Sequence, residues 1–270
     1  MLKFGTAGIP INAKSNYDAI SFLRKVGLNA LELEFVRGVN MKEDYAKKLK
    51  THAREDIVLS AHAPYYINLN AKEEDKIEGS IRRIINTAKI TNICGDNVVF
   101  HPGYYLKKNK EEVYKKIVSN IKRILDIMEE NKIKSMLRPE TTGRISQFGS
   151  IDEIIDLCHE LNILPCVDFA HIYARSLGKV NDYNSFHNVL SKIEDKLGKD
   201  ALKNMHIHIS GIDFGKGGEK NHLPLKESKF NYKDVLKVLK DFDVEGVVIC
   251  ESPKLEYDAL LMKKYYESLF

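Results

Sequence analysis

The segment from residue 57 to residue 103 alternates between two hydrophobic periodicities, and this alternation decides the fold. It begins with the largely apolar run IVLSAHA (57–63) and ends with a second such run, NVVFHPG (97–103). Between them lies EEDKIEGSIRRIINTAKI (73–90), in which apolar residues recur at helical spacing. A buried strand, a helix and a second buried strand form the unit from which parallel sheets are built.

The same alternation continues in both directions from this segment and covers the chain. Eight short β-branched or apolar runs are predicted as strands: LKFGTA (2–7), ALELEFV (30–36), IVLSAHA (57–63), NVVFHPG (97–103), IKSMLRPE (133–140), ILPCVDFAH (163–171), NMHIHIS (204–210) and GVVICE (246–251). Longer amphipathic stretches separate or follow them and are predicted as helices: 17–27, 41–55, 73–90, 110–131, 150–161, 182–198, 230–242 and 254–269. Ser150 and the pair Asn181-Asp182 precede two of these stretches and are predicted to cap them.

Eight strand–helix repeats in about 250 residues are typical of a (β/α)8 TIM barrel. We therefore predict one such domain over residues 1–270, since no Pro/Gly/Ser-rich linker divides the chain. The rival architecture is a doubly wound open sheet. Its dinucleotide-binding form needs a G-x-G-x-x-G turn after the first strand, where this chain has only GTAG (5–8), so we set that form aside.

Composition excludes several classes of protein. The 270 residues are 43% hydrophobic and 30% charged, with a formal net charge of +4, so disorder is excluded and a polyanionic partner is neither required nor excluded. The four cysteines lie far apart without a C-x-x-C pair, which argues against a disulfide framework. No apolar run approaches the length of a membrane span, and we expect a cytoplasmic protein with no membrane partner.

Polar residues with metal-binding chemistry follow the predicted strands. Seven of them lie at or just beyond strand ends: His62, His101, Glu140, Asp168, His171, His208 and Glu251. Barrel enzymes build their sites at the rim formed by the carboxyl ends of the strands. Each residue taken alone is better explained as a buried, hydrogen-bonded or capping side chain than as a ligand. Seven at one rim favour a common site.

Imidazole and carboxylate are ligands of borderline and hard divalent ions. Four such side chains hold one ion, and a set of seven or more is sufficient for two or three. Clustered ions about 3.5–4 Å apart are suited to hydrolysis of phosphate esters, because they activate water and stabilise the attacking and leaving oxygens.

An ordered set of motifs supports the same chemistry: SAHAPYYINL (60–69), VVFHPG (98–103), PET (139–141), VDFAH (167–171), MHIHISG (205–211), NHLPL (221–225) and CESP (250–253). In order and spacing this set resembles the endonuclease IV family, the AP endonucleases (family 2) of the xylose isomerase-like TIM-barrel superfamily. The resemblance covers essentially the whole barrel.

The resemblance implies a zinc-dependent enzyme that cuts the phosphodiester 5′ to an abasic site during base excision repair. It implies two or three Zn2+ ions, with Mn2+ as a possible substitute, and damaged double-stranded DNA as partner without an obligatory protein partner. His62 and His101 resemble ligands of the first ion. Glu140 resembles the carboxylate that bridges the first two ions and handles the proton of the attacking water.

The remaining family positions follow in the same way. Asp168, His208 and Glu251 resemble the other ligands of the second ion, and His171 and His222 resemble the histidines of the third. Arg37, Tyr65 and Tyr66 match the places from which the family inserts side chains into DNA at the lesion. They are explained equally well as a solvated loop charge and an aromatic wall around a pocket.

Two positions depart from the family pattern. Where the family carries D-x-H, this chain reads Glu219-Lys220-Asn221-His222, which puts the third ion in doubt and leaves Glu219 and Asn221 as alternative ligands. The run MHIHISG also offers two histidines on one face of a strand. We expect His208 to bind the metal, because it lies nearer the strand end, and His206 to be a buried, hydrogen-bonded core residue.

Two other functions remain open. A sugar or sugar-phosphate isomerase or epimerase of the same superfamily needs one ion, which Glu140, Asp168, His208 and Glu251 are sufficient to hold, with proton transfer by flanking groups. Such an enzyme does not need His62, His101, His171 and His222 together. A metal-free barrel that serves as a binding module is disfavoured, because clustered acids repel one another without a cation.

Overall fold

The computed structural model describes residues 2–270, in which eight strands form one parallel sheet and four further strands form two small antiparallel pairs. In chain order the strands are β1 (Leu2–Ala7), β2 (Ala30–Glu34), β3 (Val58–His62), β4 (Asn97–Phe100), β5 (Gly103–Tyr104), β6 (Met136–Pro139), β7 (Gln147–Phe148), β8 (Cys166–Asp168), β9 (Met205–Ile209), β10 (Gly211–Gly215), β11 (Gly218–Leu223) and β12 (Gly246–Cys250). β10 pairs with β11, and β5 with β7.

The parallel sheet curls into a barrel with the strand order β6-β4-β3-β2-β1-β12-β9-β8. Its two ends meet where Glu140, just after β6, forms a single parallel bridge with Cys166 of β8. Every other neighbouring pair of barrel strands is joined over at least three residue pairs. The predicted (β/α)8 fold is confirmed, and the contact between β6 and β8 is its narrowest seam.

Helices surround the barrel: α1 (Asn16–Val26), α2 (Glu43–Ala53), α3 (Glu74–Cys94), α4 (Lys110–Glu130), α5 (Ile151–Leu161), α6 (Phe169–Arg175), α7 (Tyr183–Leu197), α8 (Lys199–Leu202), α9 (Tyr232–Asp241) and α10 (Glu256–Glu267), with a 3₁₀ turn at Leu225–Glu227. The predicted caps are present. The Ser150 hydroxyl accepts from the Glu153 amide at the start of α5, and the Asp182 carboxylate accepts from the Ser185 amide at the start of α7. No helix within residues 2–270 is both long and apolar enough to cross a membrane.

The apolar core lies between the strands and the helices. On α4, for example, Val113, Ile117, Ile121 and Ile124 are fully buried at helical spacing. The inside of the barrel is different, because acids, histidines and an arginine replace many of the branched apolar residues that usually fill it. Apolar packing outside the barrel therefore supports a polar interior.

The strand predicted at 163–171 is too long. It ends at Asp168, and α6 begins at Phe169 because the Asp168 carboxylate accepts a hydrogen bond of 2.7 Å from the amide of His171. Asp168 thus acts as an N-cap, a role that stabilises the first turn of a helix. His171 consequently projects from the first turn of α6 instead of from a strand.

Candidate metal centre

Two histidines flank Glu140 at one side of the barrel mouth. His62 ends β3, His101 follows β4 and Glu140 follows β6. Glu140 Oε2 lies 3.1 Å from His62 Nε2 and 3.0 Å from His101 Nε2. The other ring nitrogen of His62, Nδ1, lies 2.7 Å from the carbonyl of Ala63, which favours a proton on Nδ1 and leaves Nε2 free to bind an ion. We call His62, His101 and Glu140 the first group.

Glu140 also belongs to a second group with Asp168, His171, His208 and Glu251. Its other oxygen, Oε1, lies 3.1 Å from His171 Nδ1 and 3.5 Å from His208 Nδ1. His208 Nδ1 is in turn 3.3 Å from Glu251 Oε1, and His171 Nδ1 is 3.3 Å from Asp168 Oδ2. The second group therefore surrounds a point shared by the ends of β6, β8, β9 and β12.

The third group consists of His171, Glu219 and His222. His171 Nε2 lies 3.5 Å from both Glu219 Oε2 and His222 Nε2. Donor atoms of these three residues lie within 4.8 Å of one another. Asn221, by contrast, is exposed, and its amide donates to the carbonyl of His222. Of the two alternatives left open by the sequence, the structure brings Glu219 to the histidines.

A glycine makes the approach of Glu219 possible. A Cβ atom at Gly143 would lie 2.7 Å from Glu219 Cβ and 2.9 Å from His171 Cδ2, distances that Cβ contacts do not reach without displacement. The loop between β6 and α5 therefore passes close enough to seat the third group only because residue 143 has no side chain.

Burial and mutual attraction set the charges of these side chains. Burial raises the pKa of the Glu140 carboxyl, but the neighbouring imidazoles of His101 and His208 outweigh it and hold that pKa well below its usual range. Burial, together with repulsion from Glu251 and Glu140, raises the pKa of Asp168 well above its usual range, although His171 opposes it. In the second group, the negative charge of the carboxylates thus exceeds the positive charge of the histidines.

The donor atoms fit a metal centre. Glu140 Oε1, Asp168 Oδ2 and His208 Nδ1 are buried without a hydrogen-bond partner within residues 2–270. Buried polar atoms are seldom left unpaired, because the loss of hydration costs about 1–3 kcal/mol per group. A divalent cation of borderline hardness is bound by histidine nitrogen and carboxylate oxygen, and it would both pair these atoms and offset the excess negative charge.

Two acidic residues of β2 were not identified from the sequence as candidate site residues. Glu32 and Glu34 alternate with apolar residues in ALELE, a spacing that directs both toward the inside of the barrel. Glu32 is fully buried, and its Oε2 lies 2.7 Å from His206 Nε2 and accepts from the hydroxyl of Ser60 at 2.9 Å. The predicted buried, hydrogen-bonded environment of His206 is thus observed. Acids at alternate positions of a barrel strand were the signal that could have identified Glu32.

A cavity of about 340 Å3 opens above the three groups. Its lining includes Tyr65, which is 53% exposed, and Arg144, the one lysine or arginine among its lining residues. Tyr66 is 66% exposed and lines an adjacent groove with Tyr65. Arg37 is exposed on the loop after β2 and does not line the cavity. Of the three residues expected to meet DNA, the structure brings only Tyr65 to the cavity.

The loop that carries Arg144 is tied down on two sides. The Arg175 guanidinium, at the end of α6, donates to the carbonyls of Arg144 at 2.6 Å and Gln147 at 3.0 Å. The backbone of Arg144 also bridges to Gly218 of β11. Arg144 therefore stands on a fixed backbone beside the third group.

Comparison with known families identifies this barrel. Residues 20–265 match the model of the family described as xylose isomerase-like TIM barrel. The chain belongs to this family. Its relatives include an uncharacterized protein of Methanocaldococcus jannaschii, 66% identical over 269 residues that cover 100% of this chain and 98% of the relative. A probable endonuclease 4 of Mycoplasmopsis pulmonis is 27% identical over 275 residues, covering 92% and 94%.

Solved structures superpose on nearly the whole chain. Endonuclease IV from Thermus thermophilus gives a TM-score of 0.73 at 18% identity, covering 98% of each chain. A D-tagatose 3-epimerase-like protein gives 0.76 at 19% identity, covering 99% of this chain and 98% of the other. The predicted resemblance to endonuclease IV is confirmed, and at these identities the structural likeness shows the fold alone.

Proposed function

We propose that this chain is a metal-dependent hydrolase that incises DNA on the 5′ side of abasic sites, as the endonuclease IV resemblance implies. One observation carries the proposal: three groups of metal-binding side chains adjoin one another in one barrel mouth and share Glu140 and His171. A single-ion enzyme has no use for the first and third groups. We expect it to act in the cytoplasm on damaged double-stranded DNA, without an obligatory protein partner.

The residues divide into three ligand sets. His62, His101 and Glu140 would hold the first ion; Glu140, Asp168, His208 and Glu251 the second; and His171, Glu219 and His222 the third. Zinc suits these donors best, and manganese is an alternative occupant. When bound, such ions supply Lewis-acid activation of water and neutralise charge on phosphoryl oxygens.

Glu140 has the central catalytic role in this proposal. Its two oxygens face different groups, Oε2 toward His62 and His101 and Oε1 toward His171 and His208. A carboxylate in this position is able to orient the attacking water between the first two groups and to accept its proton.

Cationic and aromatic side chains around the cavity are suited to a nucleic acid. No acidic partner pairs with Arg144 among residues 2–270, and it lines the cavity beside His171 and Glu219, where it is able to donate to phosphate oxygens. Tyr65 and Tyr66 expose rings on which an unstacked base or sugar is able to rest. Arg37, which is farther out, would contact the DNA backbone.

A single-ion sugar isomerase or epimerase is the second candidate. The second group by itself contains the Glu, Asp, His and Glu side chains that such an enzyme needs, and about 340 Å3 is sufficient for a monosaccharide. Arg144 argues against a neutral sugar, which offers it no anionic partner, but a sugar phosphate would offer one.

The test is incision of a 5′-labelled duplex with one tetrahydrofuran abasic analogue, using protein whose zinc and manganese content is measured on the same sample. We expect cleavage 5′ to the analogue, two or three ions per chain, loss of cleavage on chelation, and no cleavage of the same duplex without the analogue. Glu140→Gln is expected to lose cleavage by several orders of magnitude while staying folded. One ion per chain, an intact duplex and turnover of a ketose would overturn the proposal.

A further inference from the structure

The carboxylate of Glu32 lies below the metal centre, inside the barrel. It is fully buried, as are the histidines on either side of it, His206 and His208. Glu32 Oε1 lies 2.8 Å from His208 Nε2, and Oε2 lies 2.7 Å from His206 Nε2. Within residues 2–270 neither Glu32 Oε1 nor His208 Nε2 forms a hydrogen bond of regular geometry. The distance of 2.8 Å makes them an ion pair, and Cys166 lies beside the two histidines.

The two nitrogens of His208 face opposite ways. Nδ1 is directed at the second group, 3.3 Å from Glu251 Oε1 and 3.5 Å from Glu140 Oε1, whereas Nε2 is directed at Glu32. A neutral imidazole carries its proton on one nitrogen and binds a cation through the other. If the proton resides on Nε2, the lone pair of Nδ1 points at the second group.

Other histidines of the centre are anchored by the backbone. His62 Nδ1 lies 2.7 Å from the carbonyl of Ala63, and His222 Nδ1 lies 3.1 Å from the carbonyl of Glu251. His208 lies one residue before the end of β9, where the strand carbonyls are engaged in the sheet. Glu32, on a strand across the barrel, is the partner of the His208 ring, as backbone carbonyls are the partners of the His62 and His222 rings.

We propose that Glu32 is a positioning residue, which holds His208 with its proton on Nε2 so that Nδ1 is presented to the ion of the second group. His206 and the Ser60 hydroxyl hold the second oxygen of the carboxylate and so fix its orientation. This inference rests on the metal-binding part of the proposed function and not on its substrate. Carboxylate partners of metal-bound histidines are known to tune affinity in this way.

The test compares Glu32→Gln with Glu34→Gln. Both acids lie on β2 and face the barrel, but within residues 2–270 no histidine nitrogen forms an ion pair with Glu34 as two do with Glu32. Glutamine has nearly the shape of glutamate and lacks its negative charge, so each variant removes one carboxylate. A glutamine at position 32 has one acceptor oxygen for two imidazole groups and a hydroxyl.

Zinc affinity is measured by competition with a chelating dye, and the ring protonation of His208 by long-range 1H–15N correlation spectra of histidine-labelled protein, with His206→Gln used for assignment. We expect Glu32→Gln to weaken binding of one ion by about 10- to 100-fold. We also expect it to lose the Nε2-protonated form of His208, while Glu34→Gln leaves both readouts within twofold.

Two outcomes would overturn the inference: unchanged affinity and protonation in Glu32→Gln, or equal losses in both variants, which would indicate general damage to the strand. Neither readout depends on cleavage. If the wild type binds zinc with the expected sensitivity to Glu32 but leaves abasic DNA intact, the nuclease proposal fails and the role of Glu32 stands. If the wild type binds no zinc, both fail.

Discussion

Glu219 brings a carboxylate to His171 and His222 from a position outside the D-x-H spacing. Its carboxylate and the His222 ring lie on the same side of β11, next to His171. In a regular strand, residues 219 and 222 face opposite sides, because side chains alternate. The pairing shifts here: Asp213 pairs with Asn221, and Phe214 pairs with Glu219, so Lys220 is an extra residue. This bulge brings the two candidate ligands to one face.

At the residue scale we therefore predict that Glu219→Gln lowers metal content by one ion per chain. The amide is a weaker ligand than the carboxylate, and it leaves the charge of the ion less balanced. Elemental analysis of dialysed protein provides the measurement. Asn221→Ala is the matched control and is expected to keep the wild-type content, since Asn221 is exposed and its amide donates to the carbonyl of His222. Loss of an ion in the control instead would assign the ligand to Asn221.

Elements with strong periodicity were predictable from the sequence. The eight barrel strands, and the outer helices with their caps at Ser150 and Asp182, follow from alternating apolar periods and local hydrogen-bonding residues. The short helix α6 was not predicted, because VDFAH is apolar enough to continue a strand and only the Asp168 side chain ends it. The hairpin β10–β11 was also missed, since its bulge depends on pairing between strands.

The site was predictable where a residue follows a strand directly. His62, His101, Glu140, Asp168, His208 and Glu251 come together as the barrel topology requires. Glu219 and Glu32 could not be assigned a place in the same way. The register of a hairpin determines the position of Glu219, and contacts across the barrel determine the role of Glu32; neither is encoded in local spacing.

At the element scale we predict that Gly143→Ala damages the third group more than the fold. The added methyl would lie under 3.0 Å from Glu219 and His171, so the loop or the hairpin must shift. We expect loss of one ion per chain and destabilisation of about 1–3 kcal/mol, measured by elemental analysis and urea unfolding.

Gly217→Ala provides the control for this substitution. Gly217 lies in the turn between β10 and β11, and a Cβ there would meet no atom within 4 Å. We expect wild-type metal content for this variant. If Gly143→Ala keeps all its ions as well, the close approach of the loop is not needed to seat Glu219.

On the scale of the whole molecule, metal removal should lower thermal stability. Buried acids inside the barrel lose their counter-charge when the ions leave, and a ligand present at about 1,000 times its Kd contributes about 4 kcal/mol. For a chain of this size we expect Tm to fall by roughly 10 °C on chelation, measured by calorimetry. An unchanged Tm would mean that the protein as isolated holds no tightly bound ion.

The difference in Tm between metal-loaded and metal-free protein should change with pH in one direction. Burial lowers the pKa of His62, but the contact with Glu140 and the nearby Glu34 carboxyl outweigh it and raise that pKa to about 10. A histidine pKa raised above its ordinary 6.5 stabilises the metal-free protein fully below that pH, and this contribution is lost as pH rises toward 10. Metal ligands must be deprotonated, so binding strengthens over the same range.

We therefore expect the gap in Tm between loaded and metal-free protein to widen from about pH 6.5 to about pH 9. Calorimetric scans of both forms at a series of pH values measure it. A gap that narrows over this range would contradict the protonated state of His62 in the metal-free protein.

An ion at the second group would also have a structural role at the seam of the barrel. β1 and β12 are joined over five residue pairs, from Leu2 with Gly246 to Thr6 with Cys250, whereas Glu140 and Cys166 form the one bridge between the sheet ends. Glu140 and Asp168 stand on opposite sides of that seam, and both belong to the second group. An ion bound between them would link the two ends of the sheet. Loss of that ion would then weaken the barrel at this junction before the other strand pairs separate.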